Sequence, residues 1–274
     1  MVVKKFQTKK SLGQHFLNNP TVPRWLCDAA EIKIKDVVLE IGPGTGALTR
    51  ELLSRGAKVV ALEADPRAVT VLEEEFASEL ETGQFRLHHV DVRRFDPTTL
   101  DLKDHHFKVV ANIPYYLTGQ LFRIFLSGKT QPSSLVFLVQ KEVGKRATDG
   151  CEKGGKESLL SLSIKVFGDP SYIKTVGKGH FSPPPKVDSA IVKVSNISRD
   201  KLKDLSLELF FELLHYGFGS KRKQLIGNLA KYYPRQTLLE CFSKVEIDPA
   251  ARAEDIPLET WVKLGQYLKN AERS

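Results

Sequence analysis

A chain of 274 residues, 41% hydrophobic and 27% charged, has the composition of a globular protein long enough for one large domain and a small one. No stretch approaches the ~20 apolar residues of a membrane helix, and the basic N-terminus lacks the apolar segment and cleavage pattern of a secretory signal, so a cytoplasmic protein that spans no membrane is expected. The net charge of +8 is uneven, with −2 over residues 31–140, +4 over 1–30, +4 over 141–200 and +2 over 201–274, which suits a small-ligand core flanked by surfaces that meet a polyanion.

In chain order, Lys9 to Asn18 is basic, then broken by Gly13, then apolar. Pro20 and Pro23 lie near the opening of a helix running to Ala30, a segment expected to pack across the front of the main domain. Cys27, Cys151 and Cys241 are odd in number and far apart, so neither a disulfide framework nor a metal site is expected. Strands are predicted over 36–41, 58–62, 85–90, 107–111 and 134–139, with helices over 47–54 and 117–127. Asp65-Pro66, an N-cap followed by proline at the first helical position, opens a further helix to about Leu80. Apolar strands alternating with helices predict a mostly parallel sheet covered on both faces, with ligands at the carboxyl ends of the strands near the switch in strand order. Beyond residue 140 come a basic helix over 141–148, a surface loop over 149–155 and a helix over 158–166. Strands over 171–176 and 189–194 form an antiparallel pair, joined through the stiff extended loop 181–186. From Ser198 the pattern is wholly helical: Leu202, Leu205, Leu209, Phe210, Leu213 and Leu214 make one apolar face, and shorter helices follow near 221–232, 235–244 and 257–269. The predicted domains are 1–197 and 198–274.

The ends of the first four strands hold the chemistry. In Glu40-Ile-Gly-Pro-Gly-Thr-Gly46, glycines at 42, 44 and 46 let backbone approach a ligand closely, and Pro43 removes an N–H that a phosphate would want. The G-x-G-x-G spacing departs from the G-x-G-x-x-G of dinucleotide folds, which points to a nucleoside without phosphate, such as S-adenosylmethionine. Glu63 closes strand two, where a carboxylate can accept both ribose hydroxyls. Asp91 and the Val92 N–H close strand three, where they can meet an adenine amino group and ring nitrogen. Asn112-Ile-Pro-Tyr115 closes strand four as a stiff extended turn. It can serve as an ordinary strand-to-helix turn, or as a holder of an N–H2 group between the Asn112 side chain and the Ile113 or Pro114 carbonyl, with Tyr115 as a flat face. Lys221-Arg-Lys223 is assigned to phosphate contacts, against the alternative of a solvated helix start.

Taken together, residues 13–18 (Gly-Gln-His-Phe-Leu-Asn), 40–49, 112–115, 140–143, 181–189 (Phe-Ser-Pro-Pro-Pro-Lys-Val-Asp-Ser) and 218–229 resemble the ribosomal RNA adenine N6,N6-dimethyltransferases of the kasugamycin-sensitivity type, over nearly the whole chain. The resemblance implies a Rossmann-like class I methyltransferase fold, α/β with a mostly parallel seven-stranded sheet and an antiparallel last strand, plus a small C-terminal all-α domain that contacts RNA. It implies S-adenosylmethionine as donor, with contacts from His15, Leu17, Gly42, Gly44, Glu63, Asp91, Val92 and Asn112. It assigns Asn112, Pro114 and Tyr115 to the target, with Phe181 stacking on the base opposite Tyr115. The implied substrate is a pair of adjacent adenosines near the 3′ end of 16S rRNA in the 30S particle, acted on by a monomer without a metal. Two departures stand out: Glu157 replaces an aromatic, and Gly144 replaces an alanine. The rivals are a large-subunit enzyme of the erythromycin-resistance type, a DNA adenine methyltransferase, a dinucleotide oxidoreductase, and a non-catalytic assembly factor that keeps the fold.

Overall fold

The computed structural model describes residues 15–94, 97–151 and 154–271. Gly13 and Gln14 and the basic start of the cover segment lie outside the described residues. The chain divides into two compact units, one of residues up to Gly144 with Asp169–Ile197, the other of Lys145–Gly168 with Ser198 onward. The stretch 145–168, which the sequence reading grouped with the first domain, belongs to the second unit.

The first unit is built on a seven-stranded sheet in the order β4-β3-β2-β5-β6-β9-β7. Its strands are β2 (Val37–Ile41), β3 (Lys58–Glu63), β4 (Phe85–His89), β5 (Lys108–Asn112), β6 (Ser134–Gln140), β7 (Asp169–Val176) and β9 (Ser189–Ser195). The first five are parallel, and β9 runs antiparallel between β6 and β7. The near-continuous apolar runs of β2, β3, β5 and β6 explain this arrangement, because a strand covered by helices on both faces gains from side chains on both. The connections leave β2 toward β3 on one side and reach β5 on the other. The switch in strand order therefore falls between β2 and β5, the place where such sheets bind ligands.

Local chemistry sets the helices. Asp65 caps α3 (Pro66–Glu75), accepting from the Arg67 N–H at 3.1 Å. The helix breaks at Phe76 and resumes as α4 (Ala77–Glu81), so the single helix expected to Leu80 is two. The break turns the Phe76 ring into the core, edge-on to Phe85 at 5.5 Å. Helices α1 (Thr21–Ala29), α2 (Ala47–Ser54) and α5 (Thr118–Ser127) also belong to this unit, and α1 buries Val22, Pro23, Leu26 and Cys27. A second sheet pairs β1 (Phe16–Leu17) antiparallel with β8 (Phe181–Ser182). At the Gly144 departure, a Cβ would come within 2.8 Å of the Ala190 Cβ and 3.2 Å of Val192, so β9 presses too close for alanine there.

The second unit contains α7 (Leu159–Lys165), α8 (Leu207–Gly217), α9 (Leu225–Leu229), α10 (Arg235–Lys244) and α11 (Leu258–Ala271). α6 (Lys141–Thr148) crosses the division between the units. The helix expected near 221–232 is only α9, because residues 218–224 form a turn held by Asn228, which donates to the Gly217 and Ser220 carbonyls at 2.6 and 3.1 Å. Glu157 is 4% exposed, not a surface carboxylate. It pairs with Lys165 at 2.7 Å and accepts from Ser161 at 2.7 Å and the Cys151 N–H at 3.2 Å. The departure is thus compensated by a buried, fully partnered network rather than spent on a surface contact.

Candidate active site

A cleft of about 340 Å³ opens over the carboxyl ends of β2, β3, β4 and β5. Among the residues assigned from sequence, His15, Leu17, Gly42, Gly44, Glu63, Asp91, Val92, Asn112, Pro114 and Tyr115 line it; Phe181 does not, and Lys221, Arg222 and Lys223 lie in the second unit.

The glycine turn shapes the floor. Gly42, Gly44 and Gly46 have φ of +65°, +58° and +76°, the left-handed region that disfavours side chains. A Cβ at Gly42 would meet no atom within 4 Å, so bare backbone borders open space there. A Cβ at Gly44 would meet the Phe16 ring at 2.8 Å, which shows how closely β1 lies over the turn. Gly44 donates its N–H to Glu63 Oε2 at 3.0 Å, and Glu63 Oε1 accepts from the Ala64 and Asp65 N–H groups at 2.8 Å each. Burial pushes the Glu63 carboxyl above its usual range, while these N–H groups pull it back toward the charged form. Each carboxylate oxygen has two lone pairs, so Oε1 is saturated and Glu63 keeps one site, on Oε2, for a ligand hydroxyl.

Beneath the turn, Glu40 is almost fully buried and accepts from the Thr49 hydroxyl at 2.7 Å. Desolvation, more than the nearby Glu63 charge, pushes it up to about 8. At neutral pH the floor thus holds a protonated carboxyl. At the β4 end, Asp91 is gripped by Arg93, whose Nε lies 3.0 Å from both carboxylate oxygens, and by the Arg93 N–H at 2.9 Å. The guanidinium holds the Asp91 carboxyl below the usual range and keeps it charged. The Val92 N–H, first in its 3-10 turn, carries no hydrogen bond among the described residues. The floor thus fits a nucleoside: a buried acceptor for a hydroxyl, a charged acceptor for an amino group, a free donor for a ring nitrogen, and glycine backbone between them.

The β5 end is built differently. Asn112 donates Nδ2–H to the His15 carbonyl at 3.2 Å. A carbonyl can only accept, so the amide orientation is fixed and Oδ1 is left as the acceptor. The Pro114 carbonyl accepts from the Leu117 N–H at 2.9 Å as the chain enters a 3-10 turn. Pro114 thus keeps one of its two lone pairs, while the Ile113 carbonyl, the other main-chain acceptor weighed from sequence, carries no hydrogen bond among the described residues. Tyr115 shares a hydrogen bond with the buried Ser189 hydroxyl at 2.7 Å, and its ring stacks on His15 at 5.9 Å and 27°. Burial raises its phenol, so it stays neutral. His15 Nδ1 donates to the Pro183 carbonyl at 2.8 Å, which ties the cover segment to the 181–189 loop.

Phe181 is a correction. It is 3% exposed, paired with Leu17 across β1 and β8, and belongs to the hydrophobic core that includes Val22, Leu26 and Val176. Its ring is therefore not offered to a base. The exposed ring at the cleft is Tyr116, 61% exposed, which the sequence reading passed over as the residue behind the motif. Arg93, Ser189 and the buried state of Glu40 were also missed: Arg93 reaches back to Asp91 only two positions away, a local pairing passed over, whereas the roles of Ser189 and Glu40 depend on which strands are neighbours. Among the described residues no group of three or more His, Cys, Asp and Glu is placed to hold a metal ion, and no helix is long and apolar enough to cross a membrane.

Comparison with known proteins gives a consistent result. The family model described as ribosomal RNA adenine dimethylase matches residues 5–270. Over 260 residues, 94% of this chain and 87% of the relative, the sequence is 41% identical to the ribosomal RNA small subunit methyltransferase A of Dehalococcoides mccartyi strain CBDB1. The crystal structure of a dimethyladenosine transferase from Plasmodium falciparum superposes with a TM-score of 0.77 at 25% identity, covering 94% of this chain and 98% of that one. The crystal structure of the 23S rRNA methyltransferase ErmE, at 24% identity, shares the fold with a TM-score of 0.71 over 93% of this chain and 99% of that one.

Proposed function

Because the chain belongs to the ribosomal RNA adenine dimethylase family, we propose that it transfers methyl groups from S-adenosylmethionine to the N6 amino groups of two adjacent adenosines near the 3′ end of 16S rRNA in the 30S particle. The observation that carries this reading is the commitment of Asn112 Nδ2 to the His15 carbonyl, which leaves Oδ1 as an acceptor beside the donor floor. An exocyclic adenine nitrogen is a poor nucleophile because its lone pair is delocalised into the ring. Asn112 Oδ1 and the Ile113 carbonyl hold its two hydrogens and favour a more tetrahedral nitrogen. Positioning of this kind supplies roughly 7–11 kcal/mol of a barrier when the near-attack geometry is good. No general base is assigned, since the departing proton becomes acidic only as the N–C bond forms.

When bound, S-adenosylmethionine supplies an electrophilic methyl group on a sulfonium. Gly42, Gly44, Glu63, Asp91 and Val92 hold its nucleoside, and His15 and Leu17 cover it. Tyr115, fixed by Ser189 and His15, is the wall against which the target ring lies after leaving its stack at a cost of a few kcal/mol. The second unit contacts the RNA through Lys221, Arg222 and Lys223, and the enzyme works as a cytoplasmic monomer.

The test is transfer of labelled methyl from S-adenosylmethionine to undermethylated 30S particles, with 50S particles alongside. Label should enter the 30S particles as dimethyladenosine and leave the 50S particles blank. Label in the 50S particles alone would make the large-subunit reading correct; label in neither would leave a non-catalytic factor.

A further inference from the structure

In the second unit, Tyr216, in the last turn of α8, and Tyr232, just beyond α9, lie face to face with ring centroids 3.5 Å apart and planes 8° from parallel. Tyr216 donates its hydroxyl to the Glu212 carboxylate one turn back, which fixes the inner ring. Tyr232 is 54% exposed. A half-exposed ring backed by a second, anchored ring presents one flat face outward with little rotamer freedom left to lose.

The turn over 218–224 joins the two supports. Gly219 donates to the Tyr216 carbonyl at 3.1 Å, and Asn228 clamps the Gly217 and Ser220 carbonyls onto α9. Lys221, Arg222 and Lys223 project from this turn, exposed and without an acidic partner among the described residues. Lys231 and Arg235, on either side of Tyr232 in sequence, are exposed in the same way. A flat aromatic face, with exposed cations beside it in sequence and on the turn that the same helix pair supports, matches two parts of one ligand, the π-face of an unstacked base and its flanking phosphates.

We propose that Tyr232, backed by Tyr216, is a stacking site for an unpaired nucleotide of RNA, with the Lys221–Lys223 turn holding the adjacent phosphates. The proposal rests on the reading of RNA as substrate. A paired base has no free face, so the site selects splayed or single-stranded nucleotides over duplex.

The test is equilibrium binding of the full chain to an oligoadenylate of about a dozen nucleotides and to an abasic backbone of the same length. Tyr232→Ala should weaken oligoadenylate binding by about 5- to 150-fold, with the salt slope and the abasic affinity unchanged. Tyr232→Trp should keep the wild-type affinity, and Tyr232→Leu should behave as alanine. Neutralising Lys221 and Lys223 should instead lower the slope of log K against log salt by about 0.7 per cation for both ligands. Wild-type oligoadenylate affinity in Tyr232→Ala, an equal loss on the abasic backbone, or rescue by leucine would overturn the proposal. Methylation of 30S particles by the wild type, run in parallel, separates the two readings. If the wild type methylates and Tyr232→Ala binds oligoadenylate normally, only the stacking site falls.

Discussion

At the scale of single residues, the cleft separates two kinds of oxygen. Asn112 Oδ1 is an uncharged acceptor whose direction is fixed by its own amide, and Asp91 is a charged one fixed by Arg93. Glu40 is neither: buried and neutral, it accepts from the Thr49 hydroxyl under the floor. Its titration makes a prediction with a definite sign. Its folded value of about 8 lies above the ordinary 4.5. The folded state therefore holds the proton more tightly, and the stability it contributes is full below pH 4.5 and lost as pH rises through 8. The loss is on the order of 5 kcal/mol at most. Glu40→Gln should match wild type in denaturant unfolding at pH 5 and become progressively more stable than it toward pH 8. Parallel stability curves for the two proteins would show that Glu40 does not titrate in this range. The burial of Glu40 could not be read from Glu40-Ile-Gly-Pro-Gly, since charged and neutral carboxyls are spelled alike. The place of Asn112 on the cleft was legible because it ends an apolar strand just ahead of the Ile113-Pro114 turn, although the turn alone left its role open. Phe181 was misplaced because its direction depends on pairing with Leu17, 164 positions away in a register that no local pattern encodes.

At the scale of elements, the glycine turn and β1 form one device. Bare backbone at Gly42 borders open cleft, whereas the same absence of Cβ at Gly44 makes room for Phe16. Alanine at either position carries the cost of a left-handed backbone, about 1–2 kcal/mol. Only at Gly44 must it also displace an aromatic ring that lines the cleft. Gly44→Ala should therefore lower S-adenosylmethionine affinity by at least tenfold and destabilise the protein more than Gly42→Ala does, as calorimetric titration and thermal unfolding would read. Equal unfolding temperatures for the two variants would mean that β1 does not press on the turn. Strands and helices were legible here to within a residue or two, because apolar runs of five to seven residues bounded by glycine or Asp-Pro leave little choice. The break at Phe76 and the short α9 were not, since each depends on one side chain, the Phe76 ring or the Asn228 amide, finding a partner distant in sequence or around a turn.

At the scale of the whole molecule, the topology explains why donor and acceptor chemistry lie side by side. The strand order reverses between β2 and β5, so the glycine turn after one and the Asn112 turn after the other open into the same cleft. The slightly acidic middle of the chain coincides with this cleft, and the basic excess of residues 201–274 belongs to the unit that bears the Lys221–Lys223 turn. That division of charge was legible from sequence alone; the membership of 145–168 in the second unit was not, because helices there carry no label of the unit they join.

In the proposed mechanism a fixed amide oxygen, rather than a base, readies the adenine nitrogen. The most direct measurement is single-turnover formation of dimethyladenosine on 30S particles by mass spectrometry, for wild type and Asn112→Ala, with S-adenosylmethionine affinity measured on the same preparations. Loss of an acceptor used in the transition state predicts a rate lower by about 100-fold or more, with donor affinity changed by less than about tenfold. A variant that dimethylates at the wild-type rate, or loses rate only in proportion to donor binding, would contradict it.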